Sequence, residues 1–461
     1  MSGIGDIFSR GLDGLNVNQR GLAVTANNIA NMNTKGYARQ SISIGHNAAG
    51  GGASVLGVNS ITSPFVELQL FNTANSFGTV DGRRRTVAQT EELFNESTND
   101  GIGKAMNAFF NSFSSLSGDA SDITKRQNVR DTAQRLVSKL NSVQLQLNQM
   151  RSDISSEVSS RVTTINDLAA QIAELNGQIQ GNPNPDSVLD LKSQRMNVLR
   201  DLSEEINVSY FEQGDVMQVS INGSVNFVNG ILSGSLSMTN DLNLGGTMGV
   251  QVTLPGGNST LDITHQVTGG RLGGNLIERN TTLNDRLDEL DELAFAIVQQ
   301  VNAVHSAGYD LDGNTGVNFF QPLASASGAA RNIQINAAIL ATPRSIAAAQ
   351  QDPSVSGVGD GRVSQLLANL QDTSTMSAGS QTFQQFYQGI VGTVGSTARS
   401  VSQDYNTQEG LVNHLQIQRE SVSGVNLDEE GANIIRYQRA YQAASRMVSV
   451  ADQLLDTLLK I

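Results

Sequence analysis

Four histidines are the first places to look for metal or acid–base chemistry, but they stand at 46, 265, 305 and 414 with no shared spacing and no His-Glu-x-x-His pattern. A lone histidine is more often a satisfied core or polar residue than a ligand. Asp310-Leu-Asp312-Gly-Asn314 resembles the first half of a calcium loop. Position 6 is Thr315 where the loop needs glycine, and position 12 is Gln321 where it needs a bidentate glutamate, so a hairpin turn is expected. Gly357-Val-Gly359-Asp-Gly361 lacks the Lys-Ser or Lys-Thr of a phosphate loop and reads as a flexible connection. Arg83-Arg84-Arg85 has no aromatic platforms beside it and reads as a solvated or inter-subunit salt-bridging patch. Glu91-Glu92 and Glu204-Glu205 read as exposed faces. No catalytic constellation emerges, and neither enzyme activity, cofactor nor metal is expected.

Composition narrows the classes further. The 461 residues carry 30 Lys and Arg against 43 Asp and Glu, a net charge of −13, which excludes nucleic-acid binding driven by overall charge. There is no cysteine, so disulfides, thiolate metal sites and cysteine nucleophiles are excluded together. The opening Met1-Ser-Gly-Ile-Gly-Asp-Ile-Phe does not read as a cleaved secretory signal, and no apolar run is long enough to span a membrane. Two to four domains are expected at this length.

Hydrophobic spacing supplies the elements. Phe8, Leu12, Leu15, Gln19, Leu22, Ala26 and Ile29 form a heptad seam, and Ile434, Tyr437, Tyr441, Ala444, Val448, Ala451, Leu455 and Leu458 form a second at the other end. The first helix should stop in Asn31-Met-Asn33-Thr-Lys-Gly36, where Asn and Gly accept the left-handed conformation, with an extended piece from Ala38 to Ile44. Asn426-Leu-Asp428-Glu-Glu430 offers a cap and first-turn carboxylates to the last helix. A helix from Ile123 to Ile179 would reach roughly 80 Å. Further helices read from Leu283 to Val304 and from Phe383 to about Gln418. Alternation from Val208 to about Val267, with Asn-Gly turns, reads as β-hairpins, and 306–345 as short strands. The fold class expected is mainly α: an elongated multi-domain chain with a coiled-coil-like pair of terminal helices, a long-helix bundle and a small β-rich outer domain. The division expected is 1–60 with 425–461, 61–205 with 276–424, and 206–275.

Both terminal seams are short of large aliphatics, so an isolated pair of them should be marginal and gain stability from neighbouring copies. Residues in the same segments also carry a resemblance. Ala26-Asn27-Asn28-Ile29-Ala30-Asn31-Met-Asn33-Thr34-Lys-Gly36-Tyr37 resembles the N-terminal signature of bacterial flagellar rod, hook and hook-associated proteins, and Arg39-Gln40 matches the hook-associated form. Ser423-Gly-Val-Asn426-Leu-Asp428-Glu-Glu-Gly-Ala-Asn-Ile434-Ile-Arg-Tyr437-Gln-Arg-Ala-Tyr441 is similar to the C-terminal segment of that form.

The resemblance implies a structural subunit at the junction of hook and filament, exported without a cleaved signal through a type III apparatus and located outside the cell. Its implied partners are further copies in a ring or short helical layer, the hook protein, a second junction protein, and a cytoplasmic export chaperone on the C-terminal helix. Neither nucleic acid nor membrane is expected. The assembly interface expected comprises Leu12, Leu15, Leu22, Asn28, Ile29, Asn31, Gly36, Tyr37, Asn426, Asp428, Ile434, Tyr437, Tyr441, Val448, Leu455 and Leu458. Another axial subunit, of hook or distal rod, is the alternative, and a secreted adhesin the next.

Overall fold

The computed structural model describes residues 2–46, 52–96, 101–241, 247–257 and 259–459. Helix α1 (Ser2–Ala30) leads through a turn into the hairpin β1 (Gln40–His46) and β2 (Ala53–Ser60), which lies along α1. The body then runs α2 (Pro64–Phe94), α3 (Ile102–Ser117), α4 (Ile123–Gly181) and α5 (Pro185–Glu205). Two antiparallel sheets follow. The first takes β3 (Val208–Gln213), β4 (Val216–Ile221), β5 (Val225–Asn229) and β6 (Leu232–Ser233), and the second β7 (Ser235–Asp241), β8 (Thr247–Thr253) and β9 (Thr260–Asp262). Helices α6 (Gly270–Ile277) and α7 (Leu283–His305) are continuous through a π turn at Glu278–Thr282. Short helices α8 (Ala329–Asn332), α9 (Ala337–Ala341), α10 (Pro353–Ser356) and α11 (Arg362–Asn369) precede the long α12 (Phe383–Ser423) and α13 (Leu427–Leu459). The architecture is mainly α, with long helices and small sheets, in agreement with the expected fold class.

The reasons for these elements are local. Asp122 caps α4, its carboxylate accepting from the Thr124 and Lys125 amides, and a capping box of Thr382 and Gln385 opens α12. At 59 residues α4 is roughly 87 Å long, and it buries Val129, Leu136, Leu140, Val143, Leu147, Ile154, Val158, Ile165 and Ile172 along one flank. An aromatic hub closes one end of the body, where Phe109 lies 5.2–5.8 Å from Phe110, Phe113, Phe319 and Phe320. Helix α2 is different. It crosses α6 through Gly78 and Gly82, so closely that a Cβ on Gly82 would stand 2.4 Å from the Arg271 carbonyl oxygen. The sheets end at Asp262, and from Gly270 the chain belongs to the helical body, so the boundary expected at 275 falls inside α6.

One side-chain device recurs at four places where a helix meets extended chain. The amide of Asn176 donates to the Met217 carbonyl and accepts the Met217 N–H, replacing a missing strand, at 2.8 and 3.1 Å. Asn166 does the same to Leu236, Asn302 to Phe320 and Asn28 to Gln40. Arg195, fully buried, reinforces the first of these by donating to Asn176, to the Asp215 carbonyl and to Glu212. Asn176→Ala therefore strands buried backbone groups of Met217 and a donor of Arg195, and is expected to cost about 3 kcal/mol. Urea unfolding checks this, and loss of protection in amides 216–229 before the body would place the damage at the sheet.

Two sequence readings are corrected here. Arg83-Arg84-Arg85 is a solvated patch only in part: Arg84 and Arg85 are exposed, and Arg83 is half-buried. Arg83 bonds the fully buried Glu278 at 2.7 Å, and the Arg84 guanidinium lies 4.2 Å over the Tyr405 ring. Glu204-Glu205 is not an exposed face. Arg271 bonds Glu204, Glu205 and Asp81, while Arg161 bonds Glu205, because α2, α4, α5 and α6 converge there and leave water little access. The Asp310 to Asn314 segment is a turn, with the Asp310 carboxylate accepting from the amides of Asp312 and Asn314 at 2.8 Å.

Candidate assembly interface

The two terminal motifs meet at one joint. Helix α1 ends with Asn31 donating to the Asn27 carbonyl and carboxamide, and the chain reverses at Gly36, whose φ of +77° suits glycine. A side chain there would collide with the amide of Asn197, which itself donates to the Lys35 carbonyl at 3.1 Å. Asn28 is the centre. It is 1% exposed, it bonds both backbone groups of Gln40, and it accepts from the Tyr37 hydroxyl at 2.9 Å and donates to Glu430 at 3.3 Å. Burial, followed by the charges of Asp190 and Glu430, drives the Tyr37 hydroxyl well above its usual range, so it stays a donor.

Arg39 closes the joint from outside. Its guanidinium donates to Glu430 and Glu429, each at 2.7 Å, and its amide donates to the Ser423 carbonyl at 2.9 Å. Arg419 of α12 bonds Glu67 of α2 and the Gly36 carbonyl, each at 2.6 Å, and Arg200 of α5 takes the other Glu67 oxygen at 2.6 Å. The terminal elements are thus fixed to the body by charge-assisted bonds around a groove of about 690 Å³. Asn426 caps α13 by accepting from the Asp428 amide at 2.9 Å, and Asp428 itself is exposed beside the positive helix end. Asn28→Leu keeps the volume and removes every bond. It is expected to loosen the joint by about 3 kcal/mol, read as faster amide exchange in 11–30 than in α4.

Above the joint α1 and α13 run antiparallel. The face α1 turns to α13 is one of small residues: a Cβ on Gly11 would stand 2.7 Å from Val448, one on Gly14 3.3 Å from Ala444, and one on Gly21 2.6 Å from the Tyr437 ring. Ala444 and Ala451 are buried, and Ile434, Tyr437 and Val448 are half-buried on the same side of α13. Tyr441 and Leu455 are each 39% exposed, and the side chain of Leu458 lies outside the described residues. The aliphatic stripe of α1 is one position round from the contact. Leu12 is 41% exposed, and Leu15, Leu22 and Ile29 are half-buried.

The joint therefore gathers Asn28, Asn31, Gly36, Tyr37, Asn426 and Asp428, whereas Leu12, Leu15, Leu22 and Ile29 stand off the α13 contact. Sequence reasoning missed Gly11, Gly14 and Gly21, and also Arg419, Glu67 and Arg200. The first three did carry a signal: a glycine costs a helix interior roughly 1 kcal/mol relative to alanine, so glycines repeated at 11, 14 and 21 mark a close approach.

Three family models match the chain. The flagellar hook-associated protein FlgK helical domain matches residues 87–320, just over half of it, the flagella basal body rod protein matches 11–37, and the flagellar basal body rod FlgEFG protein C-terminal matches 418–461. Flagellar hook-associated protein 1 of Bacillus subtilis is 27% identical, with 96% of each chain covered, and those of Salmonella typhimurium and Escherichia coli are 25% and 24% identical, with 99% of each covered. The solved flagellar hook junction protein FlgK of Burkholderia pseudomallei shares the fold, with a TM-score of 0.69 at 19% identity, over 77% of this chain and all of that one. With its helical body, its N-terminal rod segment and its C-terminal segment all matched, the chain belongs to the flagellar hook-associated protein FlgK family.

Proposed function

We propose that this protein is a structural subunit of the flagellum that forms the junction between hook and filament, polymerising at the hook tip through its terminal helices. The observation that carries this reading is the similarity along nearly the whole length to flagellar hook-associated protein 1 of three bacteria. The pairing of α1 with α13 supports it, since two helices that leave rows of exposed apolar residues are suited to burying them against neighbours. No bond is made or broken in such a role. What the chain supplies is shape: residues 1–60 and 425–461 as the inner, polymerising part, the long helices as a middle part, and the sheets between Val208 and Asp262 outside.

The export route would be the flagellar apparatus, as the similarity to flagellar hook-associated protein 1 suggests. A cytoplasmic chaperone covering Ile434 to Leu458 before export would keep that helix from premature contacts. The hook protein below and a second junction protein above would be the axial neighbours.

Deletion of the gene tests the reading. Intact hooks without filaments, with flagellin shed into the medium, are expected. Missing hooks would point to a rod or hook subunit, and normal filaments would overturn the flagellar role.

A further inference from the structure

The geometry points to a contact between copies in which the leucine stripe of α1 on one subunit packs against a second apolar stripe of α13 on the next, at the same height; the inference rests on the assembly role proposed above. On α13, Ala440, Ala443, Met447, Val450 and Leu454 are spaced 3, 4, 3 and 4, a heptad seam in its own right. Met447, Val450 and Leu454 are 44–53% exposed, and each lies one position before a residue of the seam that faces α1. On α1 the order is reversed: Leu12, Leu15, Leu22 and Ile29 each lie one position after Gly11, Gly14, Gly21 and Asn28.

That reversal decides the arrangement. One residue turns a helix by about 100°. In an antiparallel pair, stripes displaced in the same sense would share a face, and stripes displaced in opposite senses lie on opposite faces. The pair is therefore a ribbon with one apolar stripe on each side. A two-fold contact would cover one stripe and leave the other in water on every copy. A repeated contact of unlike faces covers both, and generates a ring or a helical layer.

Heights match as well. Gly11 meets Val448, Gly14 meets Ala444 and Gly21 meets Tyr437 within one copy. A neighbour set side by side without axial shift thus brings Leu12 to its Met447 and Leu15 to its Ala443, whereas nearer the joint Leu22 and Ile29 come level with Arg436 and Glu429, so the part of the stripes far from the joint carries the contact. The exposed flank of α1 along this stripe, Asn16, Gln19, Ala23 and Ala26, carries no charge. Arg439 and Arg446 stay at the rim of the α13 stripe.

The absence of cysteine makes the test direct. Chains bearing both Leu12→Cys and Met447→Cys are expressed in place of the wild type, and purified hooks with their junctions are mildly oxidised. A ladder of crosslinked dimers and higher multimers is expected, because the two positions lie on opposite faces of one copy. Each single variant alone is expected to give none, and co-expression of the two single variants to give dimers only between unlike chains. Dimers of Leu12→Cys with itself, or no crosslink in particles that contain the double variant, would overturn the contact; Leu15→Cys with Ala443→Cys repeats the measurement one step along the stripes. In cells that express a tagged wild-type chain instead, its absence from purified hooks with their junctions would overturn the assembly role itself.

Discussion

Gly82→Val is expected to lower the stability of the helical body by at least ~3 kcal/mol, and urea unfolding followed by circular dichroism should show it as a shifted midpoint. The reason is backbone against backbone. A Cβ at position 82 stands 2.4 Å from the Arg271 carbonyl oxygen and 3.0 Å from its Cα, and neither can rotate away. Helix α6 would have to withdraw from α2. Withdrawal uncovers Leu272 and Leu276, which are almost fully buried, and stretches the bonds that hold Arg271 to Asp81 and Glu205. Loosening a cluster of partly buried charges adds to the steric cost, since each then loses a partner without regaining full hydration. Gly392→Ala is the contrasting case. That position is exposed on α12 and a Cβ meets nothing within 4 Å, so the variant should gain about 0.5–1 kcal/mol from helix propensity alone. An unchanged midpoint for Gly82→Val would contradict the crossing described.

The same crossing explains what was legible in the residues and what was not. Helices α1, α4, α7, α12 and α13 announce themselves because apolar residues recur every three or four positions along each. Helix α2 has no such stripe. It is packed on two sides, by α12 and by α5 with α6, and its buried positions include Gly78, Gly82, Thr73, Thr86 and Thr90, which hydrophobic spacing does not count. The contact of α1 with α13 is hidden for a related reason: it uses glycines, while the conspicuous leucines stand one position aside. Charge was misread where distance along the chain mattered. Nothing near Glu204 and Glu205 announces Arg271, 66 residues beyond Glu205. At the joint, the terminal motifs name Asn28, Tyr37 and Glu430, yet Glu67, Arg200 and Arg419 come from three separate helices and acquire their meaning only where those helices converge.

Acid should weaken the aromatic end of the body through His305, and the sign follows from how that ring is held. It is 1% exposed; Nδ1–H donates to the Val317 carbonyl and Nε2 accepts from the Ala347 amide, each at 2.8 Å, with Phe319 edge-on at 5.3 Å. Both nitrogens are committed in the neutral form, so a second proton would lack an acceptor and break the bond from Ala347. Burial pushes its pKa down to about 4 from 6.5 against the opposing Val317 bond, with a lesser push down from the charge of Arg126 and a still smaller one up from Asp310. A base whose pKa is depressed on folding leaves the unfolded chain holding more protons below pH 6.5. The stability it contributes is complete above 6.5 and is lost as pH falls from 6.5 to about 4, by up to ~3 kcal/mol. Glu204, Glu278, Glu289 and Asp291 act in the other direction, because burial raises their carboxyl groups and their protonation favours the folded state at low pH. The clean quantity is therefore the difference between wild type and His305→Gln across that window. The variant should be less stable at pH 7.5, where a well-fitted ring is lost, and should lose less on going to pH 4.5. Parallel losses in the two proteins would mean that protonation of His305 does not weaken the fold, and the acid response would then belong to carboxyl groups that hydrogen bonds hold low, such as Asp360 beside Arg362.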